Sequence, residues 1–305
     1  MENTTPPILQ LHRLDKKYGK IHAVNALSLT IEKGNVYGLL GPNGSGKSTT
    51  LGMVLNVINP SSGSFSWYGG SLDVHQALKR IGAIIERPNF YPYMTAAQNL
   101  KLVCRIKQCH FDEIEPALKL VGLWERHDSK FSTFSLGMKQ RLAIASALVN
   151  QPELLILDEP TNGLDPEGIH HIRELIGTIA QRGTTVLLAS HLLDEVEKVC
   201  SHVIVLKNGV KYFEGEVAEL TNTHGYFKLA TADNSALISA LKKMKLFSNI
   251  TSQNGFVLAY PERPVTPETL NEKLATQQLF LSTLDYKNPS LEEQFLSLTQ
   301  NTPQT

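Results

Sequence analysis

The sequence predicts an α/β protein. Across residues 8–219, short apolar, β-branched runs alternate with longer stretches of helical period, the pattern of strands exchanging with helices around one sheet. Two of those runs are read as buried strands. Residues 36–40 lead straight into a glycine-rich turn, and residues 154–157 end in two adjacent acids, so polar chemistry gathers where strands stop.

Taken in order, Leu27, Leu29 and Ile31 alternate like a half-buried strand, and residues 36–40 follow as a buried one. The glycine-rich turn then opens a helix carrying Leu51, Val54, Leu55 and Ile58. Between residues 87 and 150 the strand pattern gives way to helices: Thr95 with Gln98 forms a capping box for a helix to about 107, and residues 114–121 continue helical. This is read as a helical insert. Strands resume at 154–157, 185–189 and 203–206, and Asn208-Gly209 marks a tight hairpin. The polar cluster Thr221, Asn222, Thr223 and Gly225 is a boundary, giving a first domain of residues 1–220 and a small α/β accessory domain of 221–305. The latter is expected to close on a helix capped by Ser290 and Glu293, with a polar tail at 300–305.

Composition narrows the function classes. A chain of 305 residues can bury about 75% of its unfolded surface without staples. Its 29 basic and 29 acidic side chains cancel, which argues against a nucleic-acid coat or a polybasic membrane arm. The three cysteines, Cys104, Cys109 and Cys200, cannot all pair and have no zinc or redox spacing, so a reducing cytoplasm is expected. No secretory leader is read at the start, and no window approaches the ~20 apolar residues of a membrane span, so membrane contact would come through a partner. His170-His171 reads as a solvated helix face, and Lys242, Lys243 and Lys245 as exposed surface.

The turn reads Gly41-Pro42-Asn43-Gly44-Ser45-Gly46-Lys47-Ser48-Thr49, a GxxxxGK[ST] segment between a strand and a helix. Its glycines let successive N–H groups point into one concavity, and the helix N-terminus adds its positive end. Lys47 would reach the β and γ phosphates and the Ser48 hydroxyl would ligate Mg²⁺, while Thr49 would cap the helix or hold the α-phosphate. At the end of the second strand, Asp158 is placed to hold the metal's hydration shell, leaving Glu159 to polarise an attacking water. His191, at the end of the 184–190 strand, would contact the γ-phosphate and align that water.

At this point the residues resemble the ATP-binding subunits of ABC transporters, over about residues 8–219. Phe134-Ser135-Leu136-Gly137-Met138-Lys139-Gln140-Arg141 is similar to that family's signature segment. Ser135 reads as N-cap of a helix carrying Leu142, Ile144, Ala145 and Leu148, so its hydroxyl and the N–H groups up to Gly137 make an anion site. The resemblance implies a phosphate-loop NTPase core with an antiparallel β edge and a helical signature subdomain. It also implies that the Ser135 site completes the ATP site of an opposing subunit, and that Asp165, in Asn162-Gly163-Leu164-Asp165, lies in a loop signalling across the dimer. Tyr18 is similar to the family's adenine-stacking aromatic, against the reading of a half-buried strand-end tyrosine. ATP and Mg²⁺ are the implied cofactors. A second nucleotide-binding subunit, in a homo- or heterodimer, and a separate integral-membrane permease are the implied partners, with no nucleic acid, on the inner face of the cell membrane.

Two positions depart from the pattern. Glu86 stands where the family commonly has glutamine; its carboxylate can still ligate Mg²⁺ or a water but adds negative charge beside a triphosphate, and Leu136 replaces the first glycine of the usual Ser-Gly-Gly. With Phe90-Tyr91-Pro92-Tyr93 and the closing Ser290-Leu291-Glu292-Glu293, they resemble the exporters that confer resistance to bacitracin-type antibiotics and lantibiotics. The competing readings are a soluble ABC ATPase acting on DNA or ribosomes, and a regulator that binds nucleotide without hydrolysis.

Overall fold

In the computed structural model, which describes residues 6–86, 88–221 and 225–287, the first element is the hairpin of β1 (Leu9–Tyr18) and β2 (Ile21–Ile31). Strict alternation along β1 would turn Arg13 inward after Leu9 and Leu11. Instead Arg13 adopts φ 47°, the register shifts between Leu11 and Leu14, and Leu14 becomes fully buried while Arg13 faces water.

The chain then runs through β3 (Val36–Leu40), α1 (Lys47–Val54), β4 (Ser62–Trp67), α2 (Val74–Lys79) and β5 (Ile81–Ile84). Helices follow, namely α3 (Ala96–Lys107), α4 (Ile114–Leu120) and α5 (Leu136–Leu148). After them come β6 (Leu154–Asp158), α6 (Pro166–Gln181), β7 (Thr185–Ser190), α7 (Leu193–Val199), β8 (His202–Lys207), β9 (Val210–Glu216) and α8 (Val217–Thr221). α3 starts on the predicted capping box, with both Thr95–Gln98 hydrogen bonds present. α1 is shorter than the sequence predicts: Asn56 turns left-handed (φ 60°), and the amides of Val57 and Ile58 fold back onto the Gly52 carbonyl, so Ile58 lies beyond the helix.

A six-stranded sheet has the order β5-β6-β7-β3-β8-β9, and its pairs are parallel except β8 with β9. β8 and β9 turn on Asn208 (φ 51°) and Gly209 (φ 77°), the left-handed pair that a two-residue hairpin needs. A three-stranded antiparallel sheet, β2-β1-β4, supplies the antiparallel β edge and shares one apolar cluster with the parallel sheet, including Leu14, Trp67, Leu39 and Ile156. Because β6, β7 and β3 are adjacent and parallel, their carboxyl ends deliver three loops to one edge. Asp158 pairs with Ala189 in register, and Leu40 with Ser190.

The chain divides into two units, Met1–Val217 and Ala218–Thr305. The second contains β10 (Tyr226–Ala230), α9 (Asn234–Met244), β11 (Phe247–Gln253), β12 (Phe256–Pro261), α10 (Pro267–Ala275) and β13 (Thr283–Lys287). Its strands form an antiparallel sheet of order β11-β12-β10-β13. Phe227, Leu229 and Val257 from the strands bury against Leu237 and Leu241 of α9 and Leu270 and Leu274 of α10. Asp233 and Thr266 cap the two helices, Pro267 following at the start of the second. The expected closing helix at Ser290 and Glu293, the tail, and Asn222 and Thr223 of the boundary cluster lie outside the described residues. Cys104 and Cys200 are buried thiols, burial pushing each up to about 12.

Candidate functional site

The phosphate loop fills the gap between β3 and α1, and packing dictates its glycines. A Cβ on Gly41 would lie 2.3 Å from the Leu206 carbonyl oxygen and 2.5 Å from Ser45 Oγ. One on Gly46 would lie 2.4 Å from the Ala23 carbonyl oxygen, at a φ of 101° that L residues rarely adopt. The β8–β9 turn braces the loop, Gly209 N–H donating to the Ser45 carbonyl at 3.1 Å. Gly46 is the N-cap of α1 and no side chain caps the helix, so Thr49 does not take the capping role the sequence allowed it: it lies too far inside the first turn. The first-turn amides are thereby left to an anion.

Lys47, the first residue of α1, is almost fully buried and its Nζ donates to the carbonyls of Gly41 (2.7 Å) and Pro42 (3.4 Å). It also lies 3.4 Å from Glu159 Oε1. Tyr18, at the end of β1, is 45% exposed, with Lys16 Nζ 4.9 Å from its ring centre. Tyr18, Ala23, Asn43 to Thr49, Glu159 and Asn208 line one cavity of about 460 Å³. Tyr18 is thus a half-exposed strand-end side chain on the wall of the phosphate-loop cavity.

Glu159 leaves the β6 ladder in a left-handed conformation (φ 47°), with its N–H on the Ala189 carbonyl at 2.9 Å. A non-glycine residue held there stores ~1–3 kcal/mol of strain, which this hydrogen bond and the sheet sustain. The turn aims its carboxylate between Lys47 and His191, whose Nδ1 donates to Glu159 Oε2 at 2.7 Å. One strand-end acid thus touches both the loop lysine and the strand-end histidine.

Asp158 is 3% exposed, with Ser48 hydrogen-bonded to its carboxylate and Oδ1 left without a partner. Burial pushes its carboxyl above the usual carboxylate range; Glu159 and Glu86 add to that, and the Ser48 hydrogen bond and Lys47 oppose it. A buried, unpartnered carboxylate oxygen beside a hydroxyl suits a hard divalent cation. Among the described residues no group of three or more His, Cys, Asp and Glu could hold a metal. Ser48 and Asp158 offer the one or two protein oxygens with which Mg²⁺ is usually held when phosphate and water complete its shell.

Since the folded carboxyl sits above its unfolded value, the folded state binds the extra proton. Stability therefore falls as pH rises through the range just above the ordinary carboxylate value, and at neutral pH the ionised group is a net cost. Asp158→Asn is expected to raise the melting temperature of the nucleotide-free protein by about 2–4 °C and to flatten that pH dependence. The same variant is expected to lose magnesium-dependent nucleotide binding. Thermal melts from pH 4 to 8, with and without MgATP, check both.

Glu86, just past β5, is exposed, adopts φ 61°, and lies near enough to Asp158 to raise its carboxyl. Arg87, beside it, is outside the described residues. Glu86→Gln is expected to leave folding unchanged and to raise ATP turnover a few-fold by lowering the negative charge around a metal–triphosphate; steady-state hydrolysis measures it.

Ser135, Gly137 and Asp165 gather elsewhere in the same unit. Ser135 Oγ accepts from Met138 N–H at 3.3 Å and caps α5, and Leu136 beside it is 48% exposed. With Gly163 and Leu164 they line a separate cleft of about 470 Å³. Asp165 Oδ1 is engaged as the cap of α6, accepting from Gly168 N–H at 3.0 Å. None of these residues lines the phosphate-loop cavity of its own chain.

Two buried polar residues here escape the linear reading. Asn99 (2% exposed) holds the turn before α3, accepting from Tyr91 N–H at 2.9 Å and donating to the carbonyls of Tyr91, Met94 and Thr95. Glu195 (1% exposed) binds the hydroxyls of Thr161 and Ser190. Asn99, directly after the capping-box Gln98 and one helical turn past Thr95, carries a positional signal in the sequence. An acid in the first turn of a helix carries none, because surface helices start that way too.

Comparison with known proteins adds the following. Residues 24–162 match the family model described as ABC transporter. The chain is 36% identical to the uncharacterized ABC transporter ATP-binding protein YdbJ of Bacillus subtilis (strain 168), covering 96% of each chain. It is 34% identical to the bacitracin transport ATP-binding protein BcrA of Enterococcus faecalis, over 95% of this chain and 96% of the relative. Among solved structures, a dimeric post-hydrolysis state of the ATP-binding cassette MJ0796 bound to ADP and Pi superposes with a TM-score of 0.61 at 28% identity. It covers 68% of this chain and 98% of that one.

Proposed function

The chain belongs to the ATP-binding subunits of ABC transporters and is an ATPase of that family, and from this premise we propose that it drives a separate integral-membrane permease in exporting a bacitracin- or lantibiotic-type peptide. Residues 1–220 do the nucleotide work, and residues 221–305 form an accessory domain.

Each site uses two copies. One supplies the loop from Gly41 to Thr49, with Lys47 on the β and γ phosphates, and Tyr18 against the base. Ser48 and Asp158 hold Mg²⁺, which when bound neutralises phosphate charge. The other copy supplies the Ser135 end of α5, with Gly137 allowing close approach and Asp165 at the seam. The separation of the Ser135 cleft from the phosphate-loop cavity within one chain, and the dimeric cassette at 28% identity, support this arrangement.

The observation that carries the reading is the meeting of Lys47, Glu159 and His191 at the carboxyl edge, at 3.4 and 2.7 Å. A carboxylate so held is the base that can polarise water towards a phosphorus bound on the loop, while His191 steadies it and the charge that develops. Among the described residues no helix is long and apolar enough to cross a membrane; the likeness to bacitracin and lantibiotic transport ATP-binding proteins supports a separate permease and a place at the inner membrane face.

The chain, purified in detergent from its own membranes, is expected to bring down an integral-membrane protein. Adding bacitracin or a lantibiotic to that complex is expected to stimulate its ATP hydrolysis. Recovery with ribosomes or DNA in place of a membrane protein would overturn the transport reading.

A further inference from the structure

Glu195, in the first turns of α7, is 1% exposed, and taking an ionised acid that far out of water costs several kcal/mol unless both oxygens are satisfied. Both are. Thr161 Oγ1 donates to Glu195 Oε1 in a short hydrogen bond, and Ser190 Oγ donates to Oε2 at 2.7 Å. Ser190 Oγ in turn accepts from Leu192 N–H at 3.0 Å. Thr161 is 3% and Ser190 0% exposed, so water does not compete for these bonds.

The two partners stand at informative places. Thr161 follows Glu159 by two residues, on the turn leaving β6, and Ser190 is the last residue of β7, directly before His191. Ladder pairing fixes Asp158 against Ala189 and one further backbone bond ties Glu159 N–H to the Ala189 carbonyl, yet the Glu159–His191 side-chain contact of 2.7 Å lies past both strand ends. One carboxylate on a third element holds both segments that carry it.

We infer that Glu195 is a positioning residue of the ATPase site, clamping the Thr161 turn and the Ser190–Leu192 turn so that Glu159 and His191 meet. The choice of an acid follows from hydrogen-bond capacity. An ionised carboxylate only accepts, so both hydroxyls can donate to it, and a lone pair of Ser190 stays free for Leu192 N–H. A glutamine must point its NH₂ at one of the hydroxyls, which then has to accept, leaving that buried O–H without the acceptor Glu195 gave it.

This inference rests on the assignment of Glu159 and His191 to the site. Its test is ATP hydrolysis by Glu195→Gln, Glu195→Ala and Thr161→Val, with Glu195→Ala also made in a His191→Ala chain, alongside melting temperature and MgATP affinity. Glu195→Ala is expected to lower kcat about 10- to 100-fold with KM within about 2-fold, a geometric and not a binding loss. Glu195→Gln and Thr161→Val are expected to fall between it and the parent. In the His191→Ala chain, Glu195→Ala should cost less than about 2-fold more, because the contact it positions is already gone.

Unchanged kcat in Glu195→Ala and Thr161→Val would overturn the inference. So would losses that multiply fully in the His191→Ala chain, or that track lost affinity and melting. Should Glu195→Ala not fold, Thr161→Val and Glu195→Gln decide by the same criteria. Normal hydrolysis by Glu159→Gln would instead remove the site assignment itself; an inert Glu159→Gln with normal Glu195 variants would remove the clamp alone.

Discussion

Glu159→Gln is expected to bring ATP turnover down by about 10²- to 10⁴-fold, the range lost with a positioned general base, while the chain still binds MgATP. The amide is isosteric, so the left-handed turn at φ 47° and the hydrogen bond of Glu159 N–H to Ala189 persist. What goes is the ionised oxygen between Lys47 and His191, and with it the capacity to accept a proton from water. With hydrolysis stopped and binding intact, ATP stays at the interface. Size-exclusion chromatography in MgATP is therefore expected to show a persistent dimer for this variant and a transient one for the parent. Normal hydrolysis by the variant would displace Glu159 from its role.

Lys47→Ala is expected to act one step earlier and weaken binding itself. Its ammonium, almost fully buried, is fixed over the loop by the carbonyls of Gly41 and Pro42, so its charge is aimed at the space the loop encloses. Hydrogen bonds to charged groups are worth ~1.5–3 kcal/mol each, and losing those to two phosphates corresponds to a drop of about 10²-fold or more in ATP affinity. Equilibrium binding of a fluorescent ATP analogue measures this. Adenosine, which has no phosphate, should bind both forms equally weakly.

Where a function is written by local constraint, the sequence could be read directly. The loop needs Gly41 and Gly46 because any Cβ would strike the Leu206 or Ala23 carbonyl, so its spacing survives as a motif. The Thr95–Gln98 box and the Asn208-Gly209 turn are likewise settled within a few residues, and both formed as read. Parallel strands end side by side, which puts Glu159 and His191, just past the ends of β6 and β7, within reach of each other.

What escaped depends on partners that the local pattern does not name. The Glu195 clamp joins groups 34 positions apart, and nothing near Glu195 in sequence separates a buried acid from a surface one. The bulge that turns Arg13 outward and Leu14 inward is decided by pairing with β2, and the early end of α1 by Ile58 folding back on Gly52. Thr49 was allowed a capping role that a left-handed Gly46 leaves unfilled.

The central claim is that the phosphate loop of one copy and the Ser135 helix of another enclose the same nucleotide. Asn43 and Leu136, both exposed, mark these two segments. In a chain carrying Asn43→Cys and Leu136→Cys, mild oxidation is expected to give an intermolecular disulfide in MgATP and little without nucleotide, with neither single variant crosslinking this way. Absence of that crosslink under saturating MgATP, in a chain that binds ATP normally, would contradict the account.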